Sequence, residues 1–315
     1  MLNRRKFIAT QTTAMIGIGI APTSLFSSPS ERKFKMSLNA GSIGVSGNQM
    51  EVLDYAIKYG FEAMTCNTKD LLAMGAAQST EMVDKMKAKG ISWGSAGLPL
   101  DFRKDENTYQ TGLKALPAAA KAMEKVGATR MNTWIMPTQA DRTYRANFDL
   151  HQKRIKEISN ILGHHGVRFG LEYVGPKTLM SRDKYSFIRT MAELKELIGA
   201  VDEDNLGFIL DSFHWFCAGE SASDILSLEN KDIVAVDLND ARSGFSADEQ
   251  IDGKRELPGA TGEIDLKSFL SALKQLGYDG PVRAEPFNKL LWDMDNDAAL
   301  AATHKAMSAS FALVK

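Results

Sequence analysis

Gly207-Phe-Ile-Leu-Asp-Ser-Phe-His-Trp215 decides how the chain is read. Phe208 to Leu210 is a short apolar run, and Asp211 follows it with no turn residue between. Asp211 and His214 therefore fall where a buried strand is expected to meet a loop. Three more segments repeat the layout. Phe169-Gly-Leu-Glu172, Ile233-Val-Ala-Val-Asp237 and Pro281-Val-Arg-Ala-Glu285 each close an apolar run with a carboxylate. A single carboxylate at a strand end is usually a helix cap or a solvated loop residue. Four, at the ends of successive candidate strands, form a constellation.

Outward from these segments the chain alternates short apolar runs with amphipathic stretches. Candidate strands are 34–38, 61–66, 91–96, 130–135, 167–172, 206–211, 233–237 and 282–285. Between and after them, apolar residues at helical spacing predict helices over 49–59, 80–89, 109–126, 144–162, 187–198, 221–228, 266–276 and 297–313. Several of these end at a glycine able to take the left-handed conformation, such as Gly60, Gly90 and Gly127. Eight strand–helix units at this rhythm predict an α/β protein, a single-domain (β/α)8 TIM barrel over residues 31–315. The main rival is an open doubly wound sheet. No G-x-G-x-x-G follows the first strand, which weakens that rival as a dinucleotide binder.

Residues 1–30 read as a Tat-type export signal rather than part of the fold. Arg4-Arg5 precedes an apolar stretch, Phe7 to Ile20, and Ser27-Ser-Pro-Ser30 supplies a polar exit. The stretch is too short for a membrane span, and no cysteine lies near the cleavage region. The expectation is a periplasmic protein with no stable membrane anchor. Lys plus Arg (38) nearly balance Asp plus Glu (39), which argues against a nucleic-acid partner. The two cysteines, Cys66 and Cys217, give neither a disulfide framework nor a Cys-based zinc site, and each reads as a buried free thiol.

In a barrel of this kind the C-terminal strand ends converge on one mouth. Glu172, Asp211, Asp237 and Glu285 would face one another there, and like charges so close cannot all stay ionised without a cation. A divalent metal resolves the conflict, and all-oxygen ligation favours Mn²⁺ or Mg²⁺ over zinc. The other solution is that each acid bonds loop amides or basic side chains separately. Spacing leaves both open. Trp134, at the end of the fourth strand, serves equally as a wall against a sugar ring or as core; Trp93 and Trp215 are weaker versions of that reading. His151, His164, His165 and His304 fall on helices or helix ends and read as structural.

Gly170-Leu-Glu172, Leu210-Asp-Ser-Phe-His214, Val236-Asp-Leu-Asn-Asp240, Leu257-Pro-Gly with Gly262-Glu-Ile-Asp265, and Gly277-Tyr-Asp-Gly-Pro-Val-Arg-Ala-Glu-Pro-Phe287 resemble the xylose isomerase-like TIM-barrel family of sugar isomerases and epimerases. The resemblance covers about residues 34–313. It implies one divalent metal ion, commonly Mn²⁺, with Mg²⁺, Co²⁺ and Zn²⁺ as alternatives. Glu172, Asp211 and Glu285 match the family's ligands, and Asp237 stands where the family usually has His. The resemblance also implies proton transfer through a cis-enediolate, with Glu172 and Glu285 as the exchanging pair and His214 touching substrate oxygens. Arg242 or Arg255, in the loop after strand seven, would bind an anion or hydroxyl. Val174-Gly-Pro-Lys-Thr178 lacks the second glutamate that the ketose 3-epimerases carry there. The histidine-rich zinc site of the DNA-repair branch is also missing. Barrels of this family often form dimers or tetramers, so a homo-oligomer is expected.

Three functions follow as expectations. The first is a metal-dependent isomerase or epimerase on a small non-phosphorylated carbohydrate, since sugar phosphates are mostly cytoplasmic. The second is a lyase or dehydratase on a keto-sugar or keto-glycoside. The third is a non-catalytic carbohydrate-binding barrel.

Overall fold

The computed structural model describes residues 31–315. The export signal expected in residues 1–30 lies outside the described residues. In chain order the strands are β1 (Lys35–Leu38), β2 (Ala63–Met64), β3 (Ser92–Trp93), β4 (Ala96–Gly97), β5 (Arg130–Ile135), β6 (Thr138–Gln139), β7 (Arg168–Tyr173), β8 (Tyr185–Ser186), β9 (Leu206–Asp211), β10 (Ile233–Leu238) and β11 (Pro281–Ala284). Nine of them form one parallel sheet in the order β3-β2-β1-β11-β10-β9-β7-β5-β4. β6 and β8 make a separate antiparallel ribbon.

The two ends of that order, β3 and β4, are halves of one stave. Ser92–Trp93 pairs with β2 and Ala96–Gly97 with β5, so the sheet closes on itself through the segment between them. The third strand, expected as one run over 91–96, is broken at Gly94-Ser95. A Cβ on Gly94 would lie 2.6 Å from Ser37 Oγ, so this approach of the staves requires glycine. The outcome is the (β/α)8 barrel, with helices between successive staves.

The helices form where the apolar spacing places them, and their ends are chemically marked. Asn48 caps Gln49–Tyr59 in a capping box with Glu51, and Gly60 ends that helix at φ 79°. Glu106–Val126 and Tyr144–His164 are capped by Asp105 and Thr143. Among the described residues, no helix is long and apolar enough to cross a membrane.

One expectation fails locally. His214 lies in a helix, Ser212–Ala218, rather than in a loop. Asp211 ends β9 and caps that helix, its Oδ1 accepting from the Phe213 N–H at 2.7 Å. Phe213, Trp215 and Cys217 are all buried, so the helix is held down at once by apolar contacts.

Most of the core lies between staves and helices. A second, small apolar cluster of Ile209, Val234 and Ala235 is separate from it and floors the barrel interior. Gly170 makes room for that floor, since a Cβ there would lie 2.4 Å from Ile209 Cδ1. Side chains alternate along a strand, so Glu172 follows Gly170, and Asp211 follows Ile209, on the inward face. Asp237 and Asn239 follow Ala235 in the same way. The acids therefore rest on a dry apolar floor.

Candidate functional site

Glu172, Asp211, Asp237 and Glu285 meet at the C-terminal mouth of the barrel. One oxygen from each lies within 4.8 Å of the others. β9, β10 and β11 bring Asp211, Asp237 and Arg283 into a single row through the registers Asp211↔Asp237 and Asp237↔Arg283. Glu285 stands two residues beyond Arg283 and so above it on the same face. Above the acids opens a cavity of about 550 Å³, whose lining includes Trp134, His214, Asp252, Arg255 and Phe287.

Two guanidinium groups share the site with the acids. Arg255 Nη1 donates to Asp211 Oδ2 at 2.7 Å and lies 3.6 Å from Glu285 Oε2. Its Nη2 donates to Asp252 Oδ1 at 2.7 Å and lies 3.2 Å from His214 Nε2. The guanidinium carbon is 4.8 Å from the ring centre of Phe213 and 4.6 Å from that of Phe287. Arg283 donates through Nε and Nη2 to the two oxygens of Asp237, the latter bond at 3.0 Å. Asp211 is further held by Asn239 Nδ2, 3.1 Å from both of its oxygens, while Asn239 Oδ1 accepts from the Glu285 N–H at 2.9 Å. The loop that carries Asp252 and Arg255 is tied at its root by Asp240. Its carboxylate accepts from the N–H groups of Ala241, Thr261, Gly262 and Ile264.

Burial and mutual repulsion set the protonation of the acids. Burial first, then the charges of Glu285, Asp211 and Asp237, push the Glu172 carboxyl well above its ordinary range. Burial, and then Asp237, push Glu285 up to about 8. Asp237 is also raised, mainly by burial, with Arg283 opposing the rise. Burial holds His214 down at about 4, so its ring is neutral and its approaches to Glu172, Asp211 and Asp252 at 3.7–3.9 Å are not ion pairs. Glu172 Oε1 is buried and has no hydrogen-bond partner among the described residues. An orphaned carboxylate oxygen in a dry site is a place for a cation or a substrate hydroxyl.

These shifts fix the sign of a pH effect on the metal-free protein. A Glu285 carboxyl raised from an ordinary 4.5 to about 8 stabilises the native state as a neutral group. That contribution is whole below about pH 4.5 and is lost as pH rises towards 8. Glu220, pushed by burial to about 7, adds the same sign. His214 acts oppositely, but its effect is confined below an ordinary value of 6.5. In chelator, the thermal midpoint is therefore expected to fall as pH is raised from 6.5 to 8. A midpoint that climbs across this window would contradict the assignment.

Of the other residues singled out in the sequence, Arg255 and Trp134 line the cavity. Trp134 is 48% exposed, and Arg103 stacks over its ring at 4.1 Å. Arg242 is not brought there. It stacks on Phe245 at 4.1 Å, and its backbone N–H bonds Gln250, so it stays on the outer part of the loop. Trp93 donates to Val126 O, and Trp215 packs on Phe269; neither lines the cavity. His151 is buried against Phe102 and Phe187.

Sequence reasoning missed Arg283, Asn239, Asp252 and Phe287. Strand alternation was the available signal for Arg283, two residues before Glu285, and for Asn239, two after Asp237. Asp252 had only its three-residue offset from Arg255. Phe287 has φ 40°, an uncommon conformation for a bulky residue that sets its ring against Arg255.

Comparison with known proteins adds context to this geometry. The inosose isomerase of Bacillus subtilis (strain 168) is 30% identical over 154 residues, 48% of this chain and 51% of that protein. The 3-dehydroshikimate dehydratase of Pseudomonas putida KT2440 is 30% identical over 258 residues, 80% of this chain and 38% of that protein. The matched stretches thus span about half or less of these relatives' lengths. Among solved structures, the IolI protein with a bound zinc atom superposes with a TM-score of 0.74 at 20% identity, covering 90% of this chain and 99% of that one. At that identity the likeness is one of fold. The model of the xylose isomerase-like TIM barrel matches residues 53–309. With the closed barrel and the four acids at its mouth, this match settles the relationship: the chain belongs to the xylose isomerase-like TIM barrel family.

Proposed function

We infer that this protein is a divalent-metal-dependent isomerase or epimerase that moves a proton beside the carbonyl of a non-phosphorylated sugar or sugar derivative. One observation carries the reading: four strand-end carboxylates, three buried and Glu285 part-buried, offer oxygens within 4.8 Å of one another beneath an open cavity. The donor set fits a hard cation. It is all oxygen, Glu172 Oε1 is unpartnered, and Glu285 receives only a distant approach from Arg255. Mn²⁺ is the ion this set favours. When bound, the ion supplies Lewis-acid polarisation of a carbonyl and its neighbouring hydroxyl.

The protein's own groups do the rest. Glu172 and Glu285 stand on opposite sides of the mouth, on β7 and just past β11. In the metal-free protein both carboxyl groups are raised, chiefly by burial, and each is a group able to hold or release a proton. In this reading one takes the proton from the carbon beside the carbonyl, and the other returns it to the cis-enediolate. Arg255, clamped by Asp211 and Asp252 between two aromatic rings, orients a substrate oxygen together with neutral His214. Trp134 walls the cavity. The cations lining the cavity are Arg255 and Arg283, each already bonded to a carboxylate, which favours a substrate without phosphate.

Relatives named inosose isomerase support the isomerase reading. The relationship to 3-dehydroshikimate dehydratase favours a second outcome on the same scaffold, in which the enediolate expels a β-substituent. The test is NMR of keto-sugars and keto-cyclitols incubated in D₂O with the Mn²⁺-loaded protein and with chelator. Deuterium at a carbon beside the carbonyl, lost on chelation, is the expected result. An unsaturated product would assign the lyase, and no exchange across the panel would leave a binding protein. Export is part of the proposal, supported by Arg4-Arg5 ahead of Phe7 to Ile20, and cell fractionation checks it.

A further inference from the structure

Asp211 and Asp237 both have their two oxygens hydrogen-bonded, Asp211 by the Phe213 N–H, Asn239 and Arg255, and they differ in how firmly the charged partner is placed. Both oxygens of Asp237 are taken by Arg283, which faces it side-on from the adjacent strand in register. The two side chains are 0% and 5% exposed. Arg283 stands on β11, is nearly fully buried, and has Asp237 as its hydrogen-bond partner, so a guanidinium that swung away would be left buried and unpaired. Arg255, which holds Asp211, sits instead on the loop over 239–265 and has Asp252 as a second partner. It can give up one bond and keep the other. Glu172 has a free buried oxygen, and Glu285 accepts no side-chain hydrogen bond among the described residues.

We propose that Asp237 is not a metal ligand but the anchor of Arg283, and that the ion rests on Glu172, Asp211 and Glu285 alone. The bidentate fork takes one lone pair on each oxygen, which blocks chelation of an ion from that side. It also leaves a fixed positive charge beside the ion, which opposes a fourth bond to Asp237. A paired Asp and Arg are together neutral. The row Asp211, Asp237, Arg283 thus presents the ion with one anionic ligand and one neutral unit. Arg283 lines the cavity, so the pair also holds a guanidinium on its floor, where a substrate oxygen can reach it. This inference rests on the metal-dependent reading above.

The test is Mn²⁺ titration followed by the electron paramagnetic resonance signal of the free ion, on the full chain. The parent is expected to bind one ion. Asp237→Asn should bind it within about threefold of the parent, and Asp211→Asn at least a hundredfold more weakly. Arg283→Gln frees the carboxylate of Asp237 and removes the opposing charge, so it should bind Mn²⁺ more tightly than the parent. A hundredfold loss in Asp237→Asn would overturn the proposal while leaving the metal-dependent reading intact. Absence of binding in the parent would remove both. Asp237→Asn leaves Arg283 buried without its partner and can fail to fold. In that case the double variant Asp237→Asn with Arg283→Met removes both charges together: parent-like binding supports the proposal, and loss of the ion overturns it.

Discussion

Glu172→Gln and Glu285→Gln are each expected to lower turnover by about a thousandfold, within the usual range for removing a general acid or base. They should do so without harming the fold. Burial already favours the neutral form of both carboxyl groups, so an amide of the same shape replaces a group that carries little charge in the metal-free native state. In chelator at pH 8 either variant should melt at or above the parent's midpoint. The measurement pairs deuterium exchange at saturating Mn²⁺, the bound metal quantified, with thermal unfolding on the same preparation. Full exchange in either variant would sink the two-glutamate mechanism. Loss of exchange together with a large drop in the midpoint would show damage rather than chemistry.

Asp211→Asn is expected to have the opposite profile in stability. Asp211 is fully buried and accepts from the Phe213 N–H, from Asn239 and from Arg255. The amide can keep one or two of these bonds but cannot balance the Arg255 charge. Breaking a buried pair by removing one partner costs about 3–5 kcal/mol. Asp252 still holds Arg255 from the other side, which points to the lower end, about 3 kcal/mol. For a chain of this size that corresponds to a fall of roughly 6–12 °C in thermal midpoint. Metal affinity should fall at the same time. A variant that melts with the parent would mean that Arg255 is carried by Asp252 alone.

The sequence carried the barrel further than it carried the wiring of the site. Leu206–Asp211 and Ile233–Leu238 fall where the apolar runs place them, because a strand buried on both faces is a continuous hydrophobic run bounded by polar residues. The four acids were legible for the same reason, since each ends such a run. Three short helices were not: Thr68–Ala73, Ser212–Ala218 and Lys289–Trp292. None is long enough to show a helical period, and each is announced by one Asn or Asp cap, Asn67, Asp211 or Asn288. Asp211 shows the cost of choosing one role for a residue, because it is both a site carboxylate and a helix cap. Arg283 was hidden differently. A charge inside a strand reads as an edge or surface residue, and only the pairing of β10 with β11 shows that its partner is Asp237. The residues that tune the acids come from registers and loops, which no single stretch of sequence encodes.

The broken stave has a mechanical consequence. The ladders from β5 through β7 and β9 to β10 pair four to six residues each and those of β11 three, whereas the joints of β1 with β2, of β2 with β3 and of β4 with β5 pair only two. The hoop is therefore thinnest along the arc from β1 to β5, whose Gly97 lies on the wall of the cavity opposite the acids' own ladders. Local opening is expected first at Gly94-Ser95, where amide hydrogen exchange should run ahead of that in β7, β9 and β10. A short-laddered seam of this kind lets a closed ring flex without shifting the register of the longer ladders that aim Glu172, Asp211 and Asp237.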